Sequence, residues 1–273
     1  MAAAPSPARW PRAFVERRGS GVPVVALHGN GVDHRLLLAV DPALAGSGGL
    51  ERLYLDLAGF GQTPALPAPG GLPELADWLV GQIRELVGVE PFALLGNSLG
   101  GLLARHVRAV LPGQVLGLAL IAPVVDPDPS RRTLPAFEVV ERDEGLLASL
   151  AAADRADFTA MTARQTRATW DLFSAFALPG IRAARQDAMN RLGDRYFLDP
   201  HLDSNAGVFA GPTLVVTGRQ DHVVGYEDQH DLVRAWYPHA TYAALDGASH
   251  NVHLDRPHAV HALLRQWADD LPR

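Results

Sequence analysis

The chain has 273 residues, 48% of them hydrophobic, with 30 acidic against 24 basic side chains, a net charge of −6 and no cysteine. That excludes disulfides, thiolate chemistry and cysteine-ligated metals, and the absence of a dense basic run leaves nucleic acid no electrostatic footprint. No run of 18 apolar residues exists, and Met1 to Trp10 lacks the charged-then-apolar texture of an export signal, so the expectation is a soluble cytoplasmic protein with no membrane partner.

Short apolar runs alternate with helical spacing along the first half. Val22–Leu27 (VPVVAL) reads as a buried strand ending in His28-Gly29-Asn30-Gly31, and Arg52–Leu57 as a second ending in Ala58-Gly59-Phe60-Gly61. Leu75, Leu79, Val80, Ile83, Leu86 and Val87 place a helix over Leu72–Val87. Pro91–Leu95 is a third strand, running into Gly96-Asn97-Ser98. A helix over Gly101–Leu111 follows at once and stops at Pro112-Gly113, and Val115–Val125 holds a fourth strand. This alternation predicts an α/β fold: a mostly parallel central sheet, helices on both faces, and all strand C-termini along one edge where ligands bind.

From Pro127 to Asn205 the texture turns helical, with helices read over Leu146–Ala153, Asp157–Thr166, Ala168–Phe176 and Ile181–Leu192, two of them punctuated by Pro179-Gly180. Residues 127–205 are therefore expected as a helical cap, inserted into a core made of residues 1–126 and 206–273. Strands return at Pro212–Thr217 and Thr241–Leu245, and a last helix spans His258–Trp267. The alanine-rich start reads as a frayed tail.

The chemistry centres on Gly96-Asn97-Ser98-Leu99-Gly100-Gly101, a G-x-S-x-G run between a strand and a helix. A serine on such a sharp turn is lifted above the sheet, the small residues two before and two after it allow close backbone approach, and the helix dipole faces a developing oxyanion. Ser98 is the expected nucleophile; the plain alternative is a glycine turn carrying a passive serine or a phosphate. The Asn30 and Leu99 backbone amides are the expected oxyanion donors. Asp221 follows one late strand and His250 the next, giving the order Ser, Asp, His. Asp126 and Asp128, after an earlier strand, are rival acids, while His222 and His253 neighbour the candidate base. No H-E-x-x-H run occurs, and His250 with His253 lacks a third ligand, so neither a metal nor a cofactor is expected. Trp170, Phe173 and Phe176 recur at helical spacing and are expected either to fill the cap's own core or to line an acyl pocket for a small-molecule substrate.

These motifs together resemble the α/β-hydrolase superfamily in its capped, single-chain form, over Val22–Val125 and Pro212–Trp267. Asp56-Leu57-Ala58-Gly59-Phe60-Gly61 is similar to the family's D-x-x-G-x-G loop, and Thr217–Tyr226 resembles a bacterial subgroup of hydrolases. The resemblance implies the α/β-hydrolase fold, no cofactor, and an ester-like or activated carbonyl substrate. Relatives that open epoxides or remove halides carry aspartate where Ser98 stands. Asn30-Gly31 replaces the aromatic residue and proline of many relatives. Three readings stay open: a carboxylesterase-like serine hydrolase; a C–C bond hydrolase of a diketone-like acid, needing a cation such as Arg131, Arg132, Arg164 or Arg167; and a non-catalytic small-molecule receptor.

Overall fold

The computed structural model describes residues 10–272, so the alanine-rich start lies outside the described residues. Seven strands, β1 (Val15–Gly19), β2 (Val22–Leu27), β3 (Leu50–Leu55), β4 (Phe92–Asn97), β5 (Val115–Ile121), β8 (Thr213–Gly218) and β9 (Ala240–Leu245), form one sheet. Its order is β1-β3-β2-β4-β5-β8-β9. Two-residue strands β6 (Glu141–Arg142) and β7 (Arg164–Gln165) pair separately. The sheet is parallel except at β1, which runs antiparallel to β3.

Alternation within the apolar runs explains the layering. Val25, Leu27, Leu94, Leu118, Leu120 and Val215 face one core, shared with helices Leu72–Val87 and Leu99–Val110. Their neighbours Val24, Ala26, Leu95, Ala119, Ile121 and Val216 face the other, beneath helices Asp41–Ser47 and Pro257–Asp269. A strand covered on both faces reads as a continuous apolar run, which is why the central strands were legible. β1 was not: Val-Glu-Arg-Arg-Gly is an edge strand whose side chains pair with charges, Arg17 to Glu51 and Arg18 to Asp41.

The segment between β5 and β8 is mostly helical, but its elements differ from the expected ones. Helices run over Glu144–Ser149, Ala152–Met161, Arg167–Leu172, Leu178–Ala183, Gln186–Asp194 and Leu202–Ala206. Phe173–Ala177 forms a π-helical turn. Pro179 does not break the helix; it follows directly on the π-helical turn, within an unbroken helical run over 167–183. The helix expected over Ile181–Leu192 is instead split by Ala184 and Arg185. A third apolar cluster joins this segment to the sheet domain, packing Leu146, Leu147, Phe158, Phe173 and Leu178 on Leu36 and Leu254. Among the described residues no helix is long and apolar enough to cross a membrane.

Both ends of the segment are tied to the helix Leu99–Val110 through one buried arginine. Arg105 Nη1 donates to the carbonyls of Val124 (2.8 Å) and Val125 (3.2 Å), while its Nε and Nη2 pair with Asp203. Tyr237 donates its hydroxyl to the same carboxylate (2.7 Å). Burial alone would push the Asp203 carboxyl up, but the Arg105 guanidinium holds it below the usual range. Removing one partner of such a pair leaves an uncompensated buried charge. Asp203→Ala should therefore lower the unfolding free energy by about 3–5 kcal/mol in urea titrations. Converting Arg105 to Met in the same chain should recover part of that loss, because the orphaned cation is then gone.

Candidate active site

Ser98 lies between β4 and the helix Leu99–Val110 with φ 53° and ψ −116°, one of two non-glycine residues with positive φ among the described residues. Backbone crowding makes the turn possible only with glycines around it. A Cβ on Gly96 would stand 2.7 Å from Gly101 Cα, and one on Gly101 would stand 2.6 Å from Pro123 Cβ. One on Gly100 would run into the carbonyl oxygen of Leu27, at the end of β2. The turn is closed by Gly101 N–H and Val124 N–H, which donate to Ser98 O (2.9 and 3.0 Å).

Opposite Ser98 lies the turn His28–Gly31. His28 Nε2 accepts from Leu57 N–H (3.0 Å), which leaves the proton on Nδ1 to face Gly29 O (2.7 Å). Burial lowers the His28 pKa, so the ring stays neutral. The D-x-x-G-x-G loop buttresses this turn: Asp56 accepts from His34 N–H (2.9 Å), His34 Nδ1 (2.7 Å) and Gln62 N–H (2.8 Å). Among the described residues, the amides of Asn30 and Leu99 donate to no protein acceptor, and both flank Ser98.

Asp221 follows β8 and His250 follows β9, so adjacent parallel strands deliver both side chains to one edge. His250 Nδ1 lies 2.9 Å from Asp221 Oδ2. The other carboxylate oxygen accepts from the Val223 and Val224 amides (2.8 and 3.0 Å). With three bonds the fully buried carboxylate cannot turn, and the proton it holds on Nδ1 leaves Nε2 free to accept another. The rival acids are committed elsewhere: Asp126 pairs with Arg131 (2.9 Å), and Asp128 accepts from the N–H and hydroxyl of Ser130. His222 packs on Phe137 with ring centres 4.4 Å apart. His253 is fully buried without a partner for either ring nitrogen among the described residues, and burial pushes its pKa down to about 3.

Two cavities open on Ser98. One, of about 410 Å³, is lined by Ser98, His250, Val32, Met161, Phe173 and Ile181 among others. The second, of about 600 Å³, includes Arg132, Tyr196 and Phe197. Asn30, Ser98 and Val223 line both. Of the three aromatic residues singled out in the sequence, Phe173 reaches the cavity wall. Trp170 stands behind it, 6.2 Å between ring centres and 5.3 Å from Phe158. Phe176 packs at the edge of the same apolar cluster. The π-helical turn starting at Phe173 rotates Phe176 off the face that uniform helical spacing assigns to it.

One group of described residues, Asp33, His34 and Asp56, brings three potential metal-ligand atoms within 4.8 Å of one another. Each is already engaged, Asp33 by Arg35 and Asp56 by His34, which makes the group the buttress beneath the Asn30 turn.

A parallel sheet that lifts a serine on a strained strand-to-helix turn, with a histidine–aspartate pair on the neighbouring strand ends, defines an α/β-hydrolase. The chain belongs to the alpha/beta hydrolase fold family, whose sequence model matches residues 22–257. It is 28% identical over 263 residues to the pimeloyl-(acyl-carrier protein) methyl ester esterase of Aeromonas hydrophila, covering 89% of this chain and 94% of that one. It is 24% identical to the (E)-2-((N-methylformamido)methylene)succinate hydrolase of Acinetobacter baylyi, covering 93% of each. Among solved structures it is similar to an alpha/beta superfamily hydrolase from Oenococcus oeni, with TM-score 0.87 and 25% identity over 95% of this chain and 96% of that one.

The sequence did not point to Asp255, which joins the His250 loop to the inserted segment. It accepts from Ser249 N–H (2.8 Å) and from Ala163 and Arg164 N–H (both 3.4 Å), while Ser249 donates its hydroxyl to Met161 O (2.7 Å). Desolvation by burial pushes its pKa from 3.8 up to about 6. The folded chain thus binds this proton more tightly than the unfolded one, so stability present below about pH 4 declines as pH rises through about 6. Unfolding free energies of the wild type should fall relative to Asp255→Asn across that window and run parallel above it. Parallel curves throughout would mean that Asp255 does not titrate there.

Proposed function

We propose that the protein hydrolyses small esters or related activated carbonyl compounds through an acyl-enzyme, with Ser98, His250 and Asp221 as its catalytic triad. The observation that carries this reading is His250, held 2.9 Å from the buried Asp221 and lining the same cavity as a serine at positive φ. The names of two relatives, a methyl ester esterase and a succinate-derivative hydrolase, agree with it.

In this reading His250 Nε2 takes the Ser98 proton as Oγ attacks the carbonyl carbon. The oxygen that gains charge is received by the Asn30 and Leu99 amides, which need not reorganise. Collapse of the tetrahedral species breaks the ester bond, and the imidazolium returns its proton to the departing alcohol. Water then repeats the sequence on the acyl-enzyme, giving the acid and restoring Ser98. Asp221 fixes the tautomer and balances the imidazolium. Residues 127–205 act as a cap that supplies Met161, Phe173 and Ile181 to one side of the site and Tyr196 and Phe197 to the other.

Ser98→Ala should lower kcat on a short-chain ester by about 10³-fold or more and abolish fluorophosphonate labelling, with an unchanged circular dichroism spectrum. A Ser98→Ala protein with near-normal turnover would end this reading. Asp221→Asn should lower kcat by about 10⁴-fold by presenting the wrong tautomer, whereas Asp126→Asn should change it little. The opposite ranking in steady-state assays would move the acid to the loop after β5.

A further inference from the structure

Because both cavities share Ser98, an ester bond placed there sends one half of the molecule into each. The two halves meet different charged side chains: an acid without a cation in one cavity, a cation and an acid in the other. In the cavity of Phe173 the ionisable side chain besides His250 is Asp157, which among the described residues has no hydrogen-bond or ion-pair partner. It stands four residues before Met161 on one helix, so both side chains share the face turned toward Ser98.

The other cavity holds Arg132. Its Nε, Nη1 and Nη2 donate to the carbonyl oxygens of Asp126 (2.9 Å), Val223 (3.0 Å) and Pro127 (3.0 Å). Carbonyls orient a guanidinium without neutralising it, and two of its five N–H groups stay uncommitted. Among the described residues no carboxylate lies within ion-pair distance of Arg132, whereas Arg105, Arg131, Arg142 and Arg164 each have one. An unneutralised guanidinium in a site wall favours a planar anion that can accept two parallel N–H bonds. Asp128 lines the same cavity and keeps its charge, oriented by Ser130, but it is exposed and screened by solvent, whereas Arg132 is half-buried. A single guanidinium, with a screened acid nearby, can offset at most one negative charge.

Building on the hydrolytic reading above, we propose that the substrate is an ester carrying one carboxylate, lodged on the half beside Arg132, and that Asp157 repels that half from the other cavity. The site thereby has a polarity that fixes which way round the ester binds. The competing role for Arg132 is that of a strut, since its three carbonyl bonds tie Asp126 and Pro127 to Val223 in the loop of Asp221. A strut would affect every substrate alike; a carboxylate site would discriminate among them.

The test uses three esters of matched size: one neutral, one with a terminal carboxylate on the acyl half, and one with it on the alcohol half. The intact protein should favour one carboxylated ester over the neutral one and disfavour the other. Arg132→Gln should lower kcat/KM for the favoured ester about tenfold to a hundredfold more than for the neutral ester, mainly through KM. Arg132→Lys, which keeps the charge but not the fork, should recover part of the preference. Asp157→Asn should raise kcat/KM for the disfavoured ester severalfold. Equal turnover of all three esters by the intact protein, or an equal loss on all three in Arg132→Gln, would overturn the proposal and leave the hydrolytic reading standing. Failure to turn over any of the three would count against the hydrolytic reading itself.

Discussion

Everything at the candidate site depends on how closely the turn after β4 approaches the end of β2. The Leu27 carbonyl, the Gly100 backbone and the Gly96–Gly101 contact occupy space that any β-carbon would claim. This crowding forces Ser98 into a conformation a serine does not choose, with its hydroxyl at the sheet edge and two free amides beside it. Backbone strain of this kind is of order 1–3 kcal/mol and persists only where the surroundings over-determine it. Here they do so through the Val124 and Gly101 amides on Ser98 O, and through a helix whose buried face is anchored across the core.

The same edge collects the rest of the chemistry because parallel strands all end there. Asp221 and His250 need no long-range accident to meet; β8 and β9 are neighbours, paired from Thr213 with Ala240 to Gly218 with Leu245. The inserted segment adds Phe173 and Asp157 on one side of Ser98 and Tyr196 and Phe197 on the other. In the proposed reading, the reaction type belongs to the strand ends and the substrate choice to the inserted segment.

The central strands were readable because two-sided burial leaves an unbroken apolar run; Ser98 and Asp221 follow such runs, while His250 follows the half-buried edge strand β9, a weaker signal. Glycines at 96 and 100 add a signal with a steric cause. Elsewhere the pattern was weaker than the packing. β1 carries Glu16, Arg17 and Arg18 on an edge and looks like a loop, and the helix Glu227–Trp236 is half exposed, with few apolar positions to mark it. Helix ends in the insert shifted because the helical run passes through Pro179 by way of a π-helical turn and stops instead at Ala184 and Arg185. Phe176 was assigned to the face of Phe173 because uniform spacing has no means of announcing a π-helical turn. Asp157 left a trace in the sequence, an acid one residue before Phe158 and four before Met161, but with Asp154 on the same helix and solvated acids so common, such a trace singles out nothing until a cavity is seen beside it.

The arrangement around Arg105 bears on how such an insertion is tolerated at all. The chain leaves the sheet domain at Val124 and Val125 and returns at Asp203, and one guanidinium holds both points. Whatever lies between them is therefore a loop with pegged ends. The entropy lost in closing a loop grows only logarithmically with its length, about 0.6 kcal/mol for each doubling. A shorter or much longer excursion between the same two pegs would burden the sheet domain almost equally. The arginine acts as a socket: lids of different size and composition could be exchanged across it while the strand ends beneath keep their alignment.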